Sequence, residues 1–161
     1  NTNFALLSRV SLTKPLTDTH SYGVSIARLT TTLGGGKPIL QRYGDLIKGR
    51  RSTWGRLEKT YVEPTLKDVT PGDISMALPK RILVNLIESM EALNKVIPGV
   101  ASDSTLLYAP EIKLFSARIS SDKNMQTQIK GLYVAGDGAG VSGNIVGAAA
   151  TGIIAAKSIK K

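Results

Sequence analysis

The chain has 161 residues and a hydrophobic share of 42%, which is typical of one soluble globular domain with its own core. It contains no cysteine and one histidine, so disulfides, thiol chemistry and a structural zinc site are excluded and no metal site is expected. The net charge of +9 would suit an anionic partner, but the basic residues are mostly spread singly and are not interleaved with the few aromatic residues, which argues against nucleic acid.

The first half of the chain mixes strand and helix patterns. Residues 4–12 alternate loosely between apolar and polar and predict a strand. Residues 22–33 carry a helical apolar stripe that Ser21 could cap and that three glycines would end. Residues 38–46 predict an extended segment, and residues 48–72, polar and without a period, predict a long connection or a mobile flap.

The clearest helix begins at Pro79 and ends at Pro98-Gly99. The apolar face of this helix can bind a partner or cover a core, and we favour the core. Two strand pieces follow, at residues 105–109 and 112–119, and residues 122–130 predict a polar turn. The apolar face of the helix consists of Ile82, Leu83, Leu86, Ile87, Met90, Leu93 and Ile97.

The most informative segment is the glycine-rich stretch at residues 131–156. It predicts a short buried strand, a loop with glycines at 136, 138, 140 and 143, and a helix from Asn144 to Ile159. A strand, a glycine loop and a helix start direct backbone N–H groups and a positive dipole end at one point, where an electron-rich ligand group fits. Asp137 could accept hydrogen bonds from ligand hydroxyls. Because polar residues interrupt the stretch, it predicts neither a membrane span nor a signal peptide.

Two familiar phosphate-binding motifs are absent. Residues 34–37 lack the leading glycine and the hydroxyl of a P-loop. Residues 138–143 spell G-x-G-x-x-G, but the acid precedes the motif and no strand follows it. A glycine-rich turn that only eases helix packing is the plain alternative to a ligand loop.

The spacing of residues 136–145, followed by Ala148-Ala149 and Gly152, resembles the C-terminal flavin motif of flavoproteins with two dinucleotide-binding domains. It is most similar to uncharacterised FAD-dependent dehydrogenases of the NAD(P)/FAD-dependent oxidoreductase family. Members of that family begin with a strand, a G-x-G-x-x-G turn and a helix that together hold the ADP half of FAD, and this sequence has no such segment. We therefore expect a C-terminal portion whose missing N-terminal half is its partner. Further landmarks agree in order at residues 4–7, 78–79, 97–99, 111–113, 116 and 118–119.

The resemblance implies an α/β fold in two parts. Residues 1–104 would form a substrate or cap region of mixed strands and helices, and residues 105–161 the last strand and helix of a Rossmann-like FAD-binding domain. It implies a cytoplasmic oxidoreductase that transfers hydride through FAD, with NAD(P)H as a candidate electron partner and an unknown small-molecule substrate. The chain by itself would be inactive.

The resemblance also implies site residues, although no catalytic residue is identified. Asp137 would bind the ribityl or adjoining phosphate region, and residues 143–145 would bring N–H groups to the pyrimidine edge. A helix start there stabilises the negative charge of reduced flavin near N1 and O2. The cofactor-binding residues are Gly136, Asp137, Gly138, Gly143, Asn144 and Ile145, and the candidate substrate- or flavin-facing residues are Glu111, Lys113, Ser116 and Arg118.

Several alternatives stay open. Glu111 and Lys113 can instead form an ion pair at a strand end, and His20 can be an acid or base or a helix-start residue. Trp54, among basic residues, can be a substrate lid or a loop anchor. The whole chain can be a non-catalytic basic module for RNA or an anionic protein, or a relative of tRNA-modifying flavoproteins, in which a Gln commonly stands near the position of Asp137.

Overall fold

A computed structural model describes residues 2–113 and 118–159 of the chain. Within them the fold contains five α-helices, two 3₁₀ turns and a small three-stranded mixed sheet, which confirms the predicted mixed α/β class. The chain divides into two compact units, Asn1–Ile112 and Lys113–Lys161. The elements are α1 Thr19–Leu33, β1 Ile39–Arg42, α2 Tyr43–Ile47, α3 Trp54–Leu57, β2 Thr70–Pro71, α4 Lys80–Asn94, β3 Leu106–Ala109 and α5 Ile145–Ile159, with 3₁₀ turns at Ile74–Met76 and Asp137–Ala139.

The sheet lies in the first unit, with β1 in its centre. Strand β1 runs parallel to β2 and antiparallel to β3. Successive side chains of a strand point to opposite faces, so Ile39 and Leu40 enter different hydrophobic clusters. Because both faces are covered, β1 is the most buried strand of the unit. The first cluster contains Ile39, Leu46 and Ile74 with Leu83, Ile87, Leu107 and Ala109, and the second contains Leu40, Leu57 and Val69 with Leu106.

The predicted helices of this unit are confirmed, with changed ends. Helix α1 begins at Thr19, and its N-cap is Asp18, whose Oδ1 accepts a hydrogen bond from the Ser21 N–H at 2.9 Å; Ser21 itself is not the cap. Helix α4 covers the core, as favoured. It ends at Asn94, whose Oδ1 accepts a hydrogen bond from the N–H of Gly99 at 2.9 Å, so Ile97 lies beyond the helix and is exposed.

The strand predicted at residues 4–12 is wrong. A strand needs a partner for its backbone, and within the described residues no backbone hydrogen bond ties this segment to another strand. The extended segment predicted at 38–46 is strand only over 39–42 and then turns into α2. The connection at 48–72 contains α3 and β2, elements too short to produce a visible period.

The compact units divide after Ile112, whereas the predicted boundary lies between residues 104 and 105. Strand β3 belongs to the first unit because it pairs with β1 along its whole length. The assignment of residues 105–161 to an FAD-binding domain stays a prediction. Of the strand predicted at 112–119, residues 114–117 lie outside the described residues, and the remaining residues are not in a strand.

Candidate functional site

The second unit opens with a turn that positions the glycine-rich loop. Asp122 Oδ1 accepts hydrogen bonds from the N–H groups of Asn124 at 2.8 Å and Gln126 at 2.9 Å, which closes the predicted polar turn. The buried strand predicted before the loop is wrong: residues 131–135 have one isolated bridge, between Gln126 and Tyr133, and are partly exposed. A strand cannot extend there because the described residues of this unit offer no second strand to pair with.

The loop begins and turns at two glycines whose backbone conformations disfavour other residues. Gly136 has a φ of 80°, and its N–H donates to Thr151 Oγ1 on α5 at 2.9 Å. Gly140 has a φ of 68°, and its N–H donates to the Asp137 carbonyl at 2.9 Å, which closes the 3₁₀ turn. The loop is therefore fixed to the helix that follows it.

The start of α5 leaves backbone donors available. Asn144 is the N-cap: its Oδ1 accepts a hydrogen bond from the Gly147 N–H at 2.7 Å, and its carbonyl accepts one from Ala148 at 2.9 Å. Among the described residues, no acceptor receives the N–H groups of Gly143, Asn144, Ile145 or Val146. These four donors lie at the positive end of a helix of 15 residues.

Asp137 lies at the surface of the same loop. Its Oδ1 accepts a hydrogen bond from Ser142 Oγ, which orients the carboxylate, while no residue of the described chain donates to Oδ2. Gly138 is exposed, and apart from its two chain neighbours no atom of the described residues lies within 4 Å of the place where a Cβ would stand. The carboxylate and the helix start thus flank backbone that a flat or extended ligand can approach closely.

The structure brings all six predicted cofactor-binding residues into one loop and helix start. Sequence reasoning missed Ser142 and Thr151, whose hydroxyls fix Asp137 and Gly136. The local sequence signals neither contact, because the first depends on the turn at Gly140 and the second spans fifteen residues.

The other candidates are less well placed. Arg118 is exposed and adjoins the loop, since the N–H of its neighbour Ile119 donates to the Ala139 carbonyl at 3.0 Å. Glu111 is the penultimate residue of the first unit and Lys113 the first residue of the second, and both are exposed. Ser116 lies outside the described residues. His20 is an exposed residue in the first turn of α1.

The family model of glucose inhibited division protein A matches residues 57–161, which is almost two thirds of the chain. The chain belongs to this family. Because it is a family of FAD-binding flavoproteins, the predicted membership in an FAD-dependent oxidoreductase family is confirmed.

A curated relative matches a larger part of the chain than the family model does. An "Uncharacterized protein" of Clostridium beijerinckii is 32% identical over 141 residues, which cover 81% of this chain and 25% of the relative. The chain therefore spans about a quarter of the length of that relative. Over the described residues, none of the helices combines the length and apolar character needed to cross a membrane.

The glycine-rich loop suits the cofactor of its family. A flavin ring presents carbonyl and nitrogen acceptors at its pyrimidine edge and hydroxyls along its ribityl chain. The N–H groups of residues 143–146, which have no acceptor in the described part of the chain, match the acceptors of the pyrimidine edge. The exposed Asp137 carboxylate matches the ribityl hydroxyls. No group of three or more potential metal-binding side chains occurs in the described ranges.

Proposed function

We propose that the protein to which this chain belongs is a cytoplasmic FAD-dependent dehydrogenase, with residues 136–145 holding the ribityl chain and the pyrimidine edge of the flavin. The observation that carries the proposal is the start of α5, where the N–H groups of residues 143–146 have no acceptor among the described residues. Membership in a family of FAD-binding proteins supports it.

Each residue of the loop has a distinct task in this proposal. Asp137 accepts hydrogen bonds from ribityl hydroxyls, and Ser142 holds its carboxylate in place. Gly138, which has no side chain, lets the cofactor come close to the backbone of the loop. The N–H groups of Gly143 and Ile145 donate to the pyrimidine edge. The positive end of α5 stabilises negative charge there. When bound, FAD supplies the capacity to accept and return a hydride.

The partners of the chain follow from the same proposal. The ADP half of FAD is held by a part of the protein outside residues 1–161, residues 105–161 complete that domain, and residues 1–104 serve as a substrate or cap region. NAD(P)H is the candidate electron partner. Glu111, Lys113, Ser116 and Arg118 are the candidates for contact with the substrate or flavin.

The exposed face of α5 is apolar, which suggests that a further part of the complete protein covers it. Ile145 and Val146 are 89% and 79% exposed, and Ile153 lies on the same face. Opposite them, Thr151 bonds to the loop and Ala155 is buried. An apolar helix face of this kind is normally covered by protein.

The test replaces Asp137 in the complete, flavin-loaded protein. Asp137→Ala should weaken FAD binding by about 1.5 to 3 kcal/mol, the range for hydrogen bonds to a charged group, while the protein stays folded. Asp68→Ala, which removes an exposed carboxylate in the first unit, is the matched control. Equal FAD affinities of the two variants, measured by fluorescence titration, would contradict the assignment.

A tRNA-modifying flavoprotein is the second candidate function, favoured by the family match and by the net charge of +9. A non-catalytic basic module for RNA or an anionic protein is the alternative that involves no flavin. An absorbance scan separates the two flavoproteins from the module, because both flavoproteins would absorb at about 450 nm and the module would not. FAD-dependent turnover with tRNA as the substrate would favour the second candidate over a dehydrogenase that acts on small molecules.

A further inference from the structure

The segment at residues 42–59 concentrates positive charge that its own acids do not neutralise. It contains six basic and two acidic residues. Lys48 Nζ pairs with Asp103 at 2.7 Å, and Arg50 Nε pairs with Asp45 at 2.8 Å. The remaining basic residues, Arg42, Arg51, Arg56 and Lys59, are in no ion pair within the described residues.

Buried polar residues tie this segment to the end of β1 by hydrogen bonds. Gln41 and Ser52 are fully buried, and Gln41 Nε2 donates to the Arg50 carbonyl at 2.9 Å. Ser52 Oγ donates to Asp45 Oδ2 at 2.8 Å and accepts from the Arg42 N–H at 2.9 Å. Polar groups are costly to bury unless they are paired. Two of these bonds fix the backbone of an arginine, at the Arg50 carbonyl and the Arg42 N–H, and the third joins the Ser52 and Asp45 side chains.

Three of the arginines are linked through backbone carbonyls. Arg42 Nη1 donates to the Arg56 carbonyl at 3.3 Å, and Arg56 Nη1 donates to the Arg51 carbonyl at 2.6 Å. Arg42 Nε is buried and has no hydrogen-bond partner among the described residues. Asp45 and Asp103 lie within electrostatic range of Arg42, but neither forms an ion pair with it. The charge of this partly buried guanidinium is therefore only partly compensated, and an oxyanion bound at the arginines would compensate it further.

Trp54 lies between Arg51 and Arg56 in the chain and is 53% exposed at the start of α3. Leu57, not Trp54, enters the core from this short helix. Leu57 therefore anchors this loop in the core, and we favour the other role for Trp54, contact with a ligand. The indole remains available to the apolar part of a ligand.

We infer that Arg42, Arg51 and Arg56 form a binding site for the oxyanion group of a small molecule, a carboxylate or a phosphate, with Trp54 against its apolar part. The inference does not depend on the flavin proposal, because it involves only the first unit. A small molecule fits better than RNA, because the partly buried Arg42 can meet a single oxyanion but not a run of successive phosphates.

The test uses the fluorescence of Trp54, the only tryptophan of the chain. The 161-residue chain is titrated with inorganic phosphate and, separately, with benzoate, at an ionic strength held constant with chloride. We expect a saturable change with at least one probe, and an affinity at least tenfold lower in Arg42→Gln and in Arg56→Gln, the loss typical of a charge-assisted hydrogen bond. Phosphate and benzoate distinguish the two sources of the oxyanion.

Arg28→Gln is the control, because Arg28 is exposed on α1 and in no ion pair among the described residues. It should bind like the unchanged chain. Two test variants are made so that the test remains possible if one of them does not fold. Circular dichroism shows whether each variant is folded. Equal affinity in the folded variants, no saturable response to either probe, or tighter binding of a single-stranded oligonucleotide than of both probes would overturn the inference.

Discussion

Asp45 is the buried charged residue of the described chain, at 1% exposure. Burial raises the pKa of its carboxyl, but hydrogen bonds from Ser52 and Arg50 outweigh burial and hold the pKa below its usual value. A carboxylate whose pKa is lower in the folded state stabilises the fold above the unfolded value of about 3.9. This stabilisation is lost as the pH falls through the folded pKa.

Asp45→Asn should therefore lower the free energy of unfolding at pH 7 by about 2 kcal/mol, because charged hydrogen bonds become neutral ones. It should also flatten the decline of stability below about pH 4. Urea unfolding between pH 7 and pH 3 measures both effects. Asp68→Asn, at an exposed ion pair, is the control and should change stability by under about 1 kcal/mol. An Asp45 variant as acid-sensitive as the unchanged protein would refute the expectation.

His20 is expected to be dispensable for the proposed hydride transfer. It is exposed in the first turn of α1, where Asp18 and not His20 caps the helix. Hydride transfer through flavin does not require a protein acid. His20→Gln in the complete protein should lower the turnover rate by far less than the roughly hundredfold loss that removal of a general acid or base causes. A greater loss, measured by steady-state kinetics with FAD saturating, would assign it a catalytic role.

At the scale of elements, α5 depends on its first turn. Asn144→Asp keeps a side chain that caps the helix but adds a negative charge near the proposed pyrimidine edge. The midpoint potential of bound flavin should fall by some tens of millivolts, since 30 mV corresponds to about 1.4 kcal/mol for two electrons. Gln128→Glu adds the same charge on the exposed turn of the unit and is the control. Equal potentials in both variants would place the flavin elsewhere.

At the scale of the whole molecule, the 161-residue chain alone should bind FAD weakly or not at all. Residues 1–161 show no strand, G-x-G-x-x-G turn and helix of the kind that holds the ADP half, and they span about a quarter of the length of the curated relative. A chain that holds only the flavin half of FAD does not have the binding energy of the contacts with the ADP half. Isothermal titration of the chain with FAD checks this, and a sub-micromolar dissociation constant would mean that the principal anchor lies within residues 1–161.

Helices α1, α4 and α5 and the glycine-rich loop could be predicted from the sequence, because each depends on residues close in the chain. Apolar residues at helical spacing determine α4, and the glycines and Asn144 determine where the loop ends and α5 begins. The family resemblance rested on the same local spacing.

Only the tertiary structure decided which extended segments pair. Residues 4–12 and 131–135 have apolar strand-like patterns but no partner strand in the described chain, whereas β1 lies between two strands that arrive from distant positions. The contact between Arg42 and Arg56 could not be predicted from the sequence either, since the turn that brings them together depends on the buried pairing of Asp45 with Ser52. Local spacing determines helices and tight turns, but strand pairing and buried polar contacts require groups that only folding brings together.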